Sequence, residues 1–505
     1  VLKFILRRFG SSFLVLLGAS VLLYVLTINS GDPLADLRES NAENRDYLMQ
    51  QRTQFMNLDM PWYQRYWTWL TGVGQCFIGQ CELGTNRQGQ EVVDLLGLAA
   101  ASTLRLVVLA TVIAMVFGIV IGILTAIRQY SGMDYAVTFL TFLFFSLPVF
   151  WAAVLLKEYL AIGFNDWMAD PGFTWPAAIV AGLLLGVVLQ AVLAGPARRR
   201  LFTFLGAFLF TVLAIPYLDW LNFAQYPQLG PVVIALVGAA AAVGATALGA
   251  GLQNRRVLYA GLVTAALGVV SYYATYTLLW DPTWTTLLVL AVVLVIVAVA
   301  VGRLMGGFSK GAATIVSLFT AGVMGLLIIV EHLFRAWPGY LEIVGRPIST
   351  IGSQTPNFSG TFWEDFLDKG TQLLLPTILL ALVSLATYSR YTRASMLEVS
   401  QQDYIRTARA KGLGERQVIL KHAFRNSLIP ITTIMAFDFA ALIGGAVITE
   451  RVFGWKGMGE MFATGLDQVD PAPVMAFFLV TGTAAVLFNL LADILYAVLD
   501  PRIRV

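Results

Sequence analysis

What most constrains this chain is a succession of apolar runs whose connections alternate in charge. Twelve runs approach or exceed the ~20 residues that cross the hydrocarbon core of a bilayer as a helix. The six central runs, at 175–193, 201–221, 231–250, 257–279, 285–301 and 312–330, give the sharpest test. Between Ala177 and Val330 there are seven basic residues: Arg198, Arg199, Arg200, Arg255, Arg256, Arg303 and Lys310. All seven fall in alternate connections, and the only two acids, Asp219 and Asp281, fall at the opposite ends. Lys and Arg collect in cytoplasmic loops, so this alternation argues for six real spans and orients them. Composition agrees. With 58% hydrophobic and 12% charged residues and a mean hydropathy of +0.75, no soluble core accounts for the chain. The expected class is an all-α integral membrane protein.

The same composition excludes several functions. A net charge of +3 is too small to argue for nucleic acid. Two histidines, His332 and His422, leave little for metal binding or histidine catalysis, so no metal site is expected. No glycine-rich loop ending in Lys-Ser/Thr occurs to cradle a nucleotide phosphate, so ATP cannot be bound by that means.

Residues 1–28 read as a retained first span, with Lys3, Arg7 and Arg8 on the cytoplasmic side and no small-residue cleavage site after it. Residues 29–98 hold nine acids against five arginines and no lysine, which places them outside. Within them, 44–57 and 61–70 read as short helices. The aromatic cluster Trp62, Tyr63, Tyr66, Trp67 and Trp69 suits anchoring at the interface. Cys76 and Cys81 lie in this outer segment, where an oxidising compartment permits a disulfide closing a tight loop; two separate thiols are the alternative.

The most informative stretch is basic and lies between apolar runs at 373–388 and 429–448. From Arg390 to Asn426 there are eight Lys or Arg residues against three acids, Glu398, Asp403 and Glu415. Asp403 is placed to cap a helix starting at Tyr404. Ile405, Ala408 and Ala410 give that helix a small apolar surface among Arg406, Arg409 and Lys411. Gly412 is placed to end it with positive φ. A second helix is expected from Glu415 to about Arg425, with Pro430 opening the next span. Two such helices make a knob suited to another protein's groove; a solvated basic loop lying on anionic lipid fits the composition too.

The run Arg406-Thr407-Ala408-Arg409-Ala410-Lys411-Gly412-Leu413 resembles the coupling segment of the permease subunits of bacterial ABC importers, in the oligopeptide/dipeptide/nickel branch. Arg406 and Thr407 stand where the general importer motif has Glu and Ala, a departure that belongs to the peptide-type branch. Gly31-Asp32-Pro33, the Gly454, Gly457 and Gly459 cluster and the ending Asp500-Pro501-Arg502-Ile503-Arg504 resemble the same family. The resemblance covers 1–163 and 373–505. It implies a six-span type I permease core that couples through residues 401–426, Asp403, Tyr404 and Leu413 included, to one or two separate ATPase subunits holding ATP and Mg. It also implies a second homologous permease and an extracytoplasmic solute-binding protein. No cofactor is expected in this chain.

The chain departs from that pattern in its middle. Core spans two and three fit within 99–163, but the fourth begins only near residue 373. The interval reads as about six extra transmembrane helices at 164–331, then an extracytoplasmic loop at 332–370 with core spans four to six at 371–505. Twelve spans leave both termini in the cytoplasm. The extra helices carry no charge at their centres and suit an accessory bundle beside the core, or a surface for a partner or lipid. Asp438, near the middle of span five, faces either a wet pathway, where it meets a cationic group such as a peptide amine, or a partner subunit through a hydrogen bond. Asn489 and Asp493 on span six are further pathway candidates.

The function these features imply is the permease subunit of an ATP-driven peptide importer, with nickel-chelate and glutathione-type solutes as alternative cargo. A secondary transporter would need interrupted spans with midplane ion ligands, and a membrane enzyme would need a cluster of His or carboxylates at one face. Neither is found.

Overall fold

The computed structural model describes residues 2–193 and 195–499. It describes side chains at all of these except 2–9, 416, 420, 429, 433, 436, 440, 443, 445 and 491–499. The ending 500–504 therefore lies outside the described residues. Nearly every element is a helix, and among the described residues the only β contact is an isolated bridge between Thr85 and Glu91. Among the described residues, ten helices are long and apolar enough to cross a membrane, and a bent pair raises this to eleven. Phe424–Gly445 is a further 22-residue helix over the run at 428–448.

Core span three, placed within 99–163, is broken at Pro148: the chain turns by 107° between Gly132–Ser146 and Val149–Ala169. The cause is local. Proline disfavours helical geometry in the residue before it, and Leu147 is extended at φ −76°, ψ 126°.

The chain forms two compact units: Val1–Ala161 with Thr350–Ser353 and Gln372–Val505, and Ile162–Ser349 with Gln354–Thr371. The core of the first is organised by the Val92–Ile127 helix. Its residues 110, 114, 118 and 122 are Ala, Ala, Gly and Gly, all buried along one face. A Cβ at Gly118 would lie 2.7 Å from the Cβ of Tyr388, and one at Gly122 2.6 Å from the Cβ of Thr392. Small residues at four-residue spacing let two membrane helices meet backbone to backbone, and here they bring the Phe362–Ser400 helix into contact. Leu106, Val107, Tyr388, Trp455, Met458 and Phe477 close the same core.

The outer segment packs onto the first helix. Tyr66 and Trp69 are buried with Tyr24 and Met475, and the Ser20 and Tyr66 hydroxyls share a 2.8 Å hydrogen bond. Two of the five aromatics expected as interfacial anchors are thus packing residues, while Trp62, Tyr63 and Trp67 stay exposed. Cys76 and Cys81 are joined by a disulfide.

The second unit holds six apolar helices: Trp175–Leu193, Ala197–Trp220, Gly230–Gly249, Arg255–Ala274, Trp284–Met305 and Lys310–Val344. Met324 of the last fits against Gly238 and Gly268, so the Gly/Ala runs serve close packing. The stretch from Glu331 reads as an outer loop with short helices, and the helix Lys310–Val344 runs on into it through Pro338. Burial decides this. Glu331 is fully buried and accepts from the backbone N–H groups of Leu229 and Gly230 and from Arg335 Nε at 2.7 Å. Arg335 also donates to the hydroxyls of Tyr272 and Tyr276. A polar turn with this many partners stays helical because each group is satisfied where it stands.

Candidate functional site: the coupling segment and the polar contacts behind it

Asp403–Ala410 is a helix of eight residues. Gln402 occupies the N-cap position and no side chain caps it, so Asp403 does not cap as expected. It sits in the first turn, where its charge suits the helix dipole, and faces Arg406 at 3.7 Å in solvent. The other end is closed by backbone alone. Gly412 has φ 76°, its N–H donates to the Arg409 carbonyl at 2.9 Å, and the Leu413 N–H donates to the Ala408 carbonyl at 3.4 Å. This paired return of two amides onto the last turn requires a left-handed residue, which glycine supplies without a Cβ clash.

Ile405 and Ala408 point inward onto Met396, Val418 and Ala423, with Ile123, Ala126, Val399 and Phe424 around them. The segment is thus seated on the ends of the Val92–Ile127 and Phe362–Ser400 helices. Arg409 makes a two-pronged ion pair with Glu415, Nε to Oε2 at 3.1 Å and Nη2 to Oε1 at 2.6 Å. The hydrogen bonds from Arg409 hold the Glu415 carboxyl below its usual range. Tyr404, Arg406, Thr407, Ala410, Lys411 and Leu413 remain exposed. The result is a rigid knob with one apolar side used for seating and one mixed side free.

Beyond the knob, the expected second helical stretch begins at Glu415 but does not end near Arg425. Glu415–Gln417 leads into a π-helical stretch, Val418–Ala423, which runs straight into Phe424–Gly445. Pro430 lies inside that helix and does not open it. Coupling segment and span are therefore one continuous piece of backbone.

Sequence reasoning missed three contacts that hold this architecture. Asp134 caps the turn before Gly132–Ser146 by accepting from the Tyr130 N–H and takes both Nε and Nη2 of Arg393 at 2.9 and 3.0 Å. Ser131 three residues before Asp134 is the available signal, since it caps that helix. Glu450 is fully buried and accepts from the Thr103 hydroxyl at 2.6 Å and from the N–H groups of Gly459 and Glu460. A Cβ at Gly457 would lie 2.4 Å from the Glu450 carboxylate, which explains the glycine cluster. The cluster joins two short helices, Val447–Phe453 and Met458–Asp467, with Gly454 ending the first at φ 57°. The third contact is from the Tyr388 hydroxyl to Asp438 Oδ2 at 2.7 Å.

Of the pathway candidates, Asp438 is half-buried with Tyr388 as its partner, and Asn489 is half-buried on Pro471–Leu499. Their neighbours Phe439 and Phe488 meet at 5.0 Å, so the two helices run side by side at that level. The side chain of Asp493 lies outside the described residues.

Residues 328–505 match the family model described as the inner membrane component of binding-protein-dependent transport systems. The chain is 41% identical over 183 residues to the oligopeptide transport system permease protein OppB of Mycobacterium tuberculosis (strain ATCC 25618 / H37Rv), covering 36% of this chain and 55% of that protein. It is 44% identical over 140 residues to the dipeptide transport system permease protein DppB of Escherichia coli (strain K12), covering 28% and 41%. It is 36% identical over 206 residues to the glutathione transport system permease protein GsiC of Pectobacterium atrosepticum, covering 38% and 66%. The chain thus spans about half the length of the first of these curated relatives, 55% in the case of OppB. The matched region contains the coupling knob, most of its apolar seat and the Glu450 turn, and over it the chain is similar to the inner membrane component of binding-protein-dependent transport systems and to the permeases named above.

Proposed function

We propose that this chain is the membrane subunit of an ATP-driven importer of di- or oligopeptides, forming half of the translocation pathway in a bacterial cytoplasmic membrane. The observation that carries this reading is the seating of Asp403–Ala410 on two long membrane helices, with a mixed face left free. Both termini lie in the cytoplasm, and the free face docks on one of one or two separate ATPase subunits, which hold ATP and Mg. A second, homologous permease completes the pathway, and an extracytoplasmic solute-binding protein delivers cargo. Closure of the ATPases draws the two coupling segments together and rocks the core spans between inward- and outward-open states. The ATPases supply the free-energy difference between those states. Asp438, Asn489 and Asp493 line the pathway, and the six helices at 175–344 form an accessory bundle inserted between core spans three and four.

The names of OppB and DppB support peptide cargo. The similarity to GsiC favours a second reading, a glutathione-type solute, itself a short peptide. The test is affinity purification of the chain from its native membrane with mass spectrometry of what accompanies it. An ATPase and a second permease are expected, Arg409→Glu releases the ATPase, and peptide stimulates ATP hydrolysis by the recovered complex. Recovery of the chain alone, under conditions that keep other importers intact, overturns the reading.

A further inference from the structure

The outer segment encloses a cleft of about 730 Å³, within the size range of small-molecule sites. One wall is apolar, built from Tyr24, Phe55 and Met56; another carries Arg65 and Trp69. Arg65 is the exception among the five arginines of residues 29–98. Arg38 pairs with Asp32, Arg45 with Asp46, and Arg52 and Arg87 both with Asp36. Arg65 has no carboxylate partner among the described residues, and its Nε is buried without a hydrogen bond. Trp69 is buried beside it, and its indole N–H has no acceptor among the described residues. Unpaired buried donors are costly, so two on one cleft wall mark a place where an acceptor is missing.

Residues 80–85 form a further wall that belongs to no helix or strand, with Gly84 at φ 86° and the Thr85–Glu91 bridge at its end. Among the described residues, the backbone N–H groups of Cys81, Glu82 and Leu83 donate to no protein group. Backbone amides left without a protein acceptor on a cleft wall are donors that the carbonyls of a bound peptide can satisfy. Glu82 and Glu91 also line the cleft and are exposed, so a multiply charged anion is repelled while an ammonium end is accommodated.

We propose that this cleft binds a short peptide against residues 80–85, with its C-terminal carboxylate at Arg65. The ligand class rests on the peptide reading of the cargo, but the site stands or falls by a binding measurement that needs no ATPase. The full chain in lipid nanodiscs is titrated calorimetrically with trileucine and with trileucinamide. The acid is expected to bind about tenfold more tightly than the amide, the worth of one charge-assisted pair. Arg65→Gln brings the acid to the level of the amide, and Arg65→Lys keeps part of the preference. Equal binding of acid and amide by the native chain overturns the proposal. So does an undiminished preference in Arg65→Gln, or no binding of either ligand to a chain whose helicity is intact. Failure here alongside peptide-stimulated ATP hydrolysis removes the site and leaves the transport function standing; binding without ATPase recovery does the reverse.

Discussion

The Tyr388 hydroxyl donates to Asp438 Oδ2 at 2.7 Å, tying the Phe362–Ser400 helix to Phe424–Gly445. Tyr388 is fully buried and Asp438 half-buried, so the acid is held at a fixed position with part of it open. Tyr388→Phe removes the donor and strands the carboxylate, at a cost of about 1–3 kcal/mol. Asp438→Asn keeps an acceptor and removes only the charge. We expect the first to lower the thermal midpoint and the second to leave it nearly unchanged. If Asp438 serves the pathway, Asp438→Asn also lowers uptake of peptides with a free amine relative to their N-acetylated forms. An unchanged uptake ratio assigns the acid to packing alone.

Gly122 approaches Thr392 so closely that a Cβ would lie 2.6 Å from its Cβ and 2.7 Å from the Ser389 carbonyl oxygen. Gly122→Val forces the two helices apart beneath the coupling knob. Overpacking of this kind costs about 1–3 kcal/mol. A lower yield of folded protein in the membrane is expected, and a normal yield with full uptake would show that the helices can separate without harm.

Gly412 has open space around its Cβ position, so only its φ of 76° resists substitution. Gly412→Ala then costs about 1 kcal/mol, carried by the backbone. Gly412→Asn is better tolerated, because asparagine enters the left-handed region more readily. The expected readout is a weaker ATPase yield on co-purification for Ala than for Asn, with membrane insertion equal in both.

Asp470 lies beside the outer cleft, nearly inaccessible to solvent, and burial pushes its carboxyl up to about 6 despite the N–H groups of Arg87 and Ala472 that it accepts. A carboxyl raised in the folded state binds its proton more tightly there than in the unfolded chain. Its contribution to stability is therefore full below about pH 4 and is lost as pH rises through about 6. Asp470→Asn, which keeps an acceptor for the Arg87 amide, should flatten this dependence. Thermal midpoints at pH 5 and pH 7.5 test it, and an equal pH slope in the two proteins would refute it.

The Cys76–Cys81 disulfide closes a loop at the rim of the same cleft. A bridge over so short a loop restricts the unfolded chain by about 2 kcal/mol. Reductant should lower the thermal midpoint of the native chain and leave a Cys76→Ser/Cys81→Ser variant unaffected.

The helical class and the family resemblance were legible from local information. The run at 175–193 became the helix Trp175–Leu193 because a largely apolar stretch of 19 residues in lipid satisfies its backbone in only a few ways. The resemblance drawn from Arg406 to Leu413 lies inside the region that matches the family, and the glycine that ends the coupling helix was readable because only its own φ matters. The sequence likewise determined that this chain crosses the membrane many times, since apolar length and charge alternation are properties of consecutive residues.

Only the tertiary structure decided which polar groups meet. Tyr388 and Asp438 are 50 residues apart, Asp134 and Arg393 are 259 apart, and Thr103 and Glu450 are 347 apart. It decided that residues 331–344 stay helical, because Glu331 finds its partners at Leu229, Gly230 and Tyr272. It also left Arg65 alone among five arginines, since Asp36 is reached by both Arg52 and Arg87. Spacing along the chain carries no record of such pairings. They arise from which helices pack side by side, and in the membrane the unmet cost of a buried polar group then fixes each one in place.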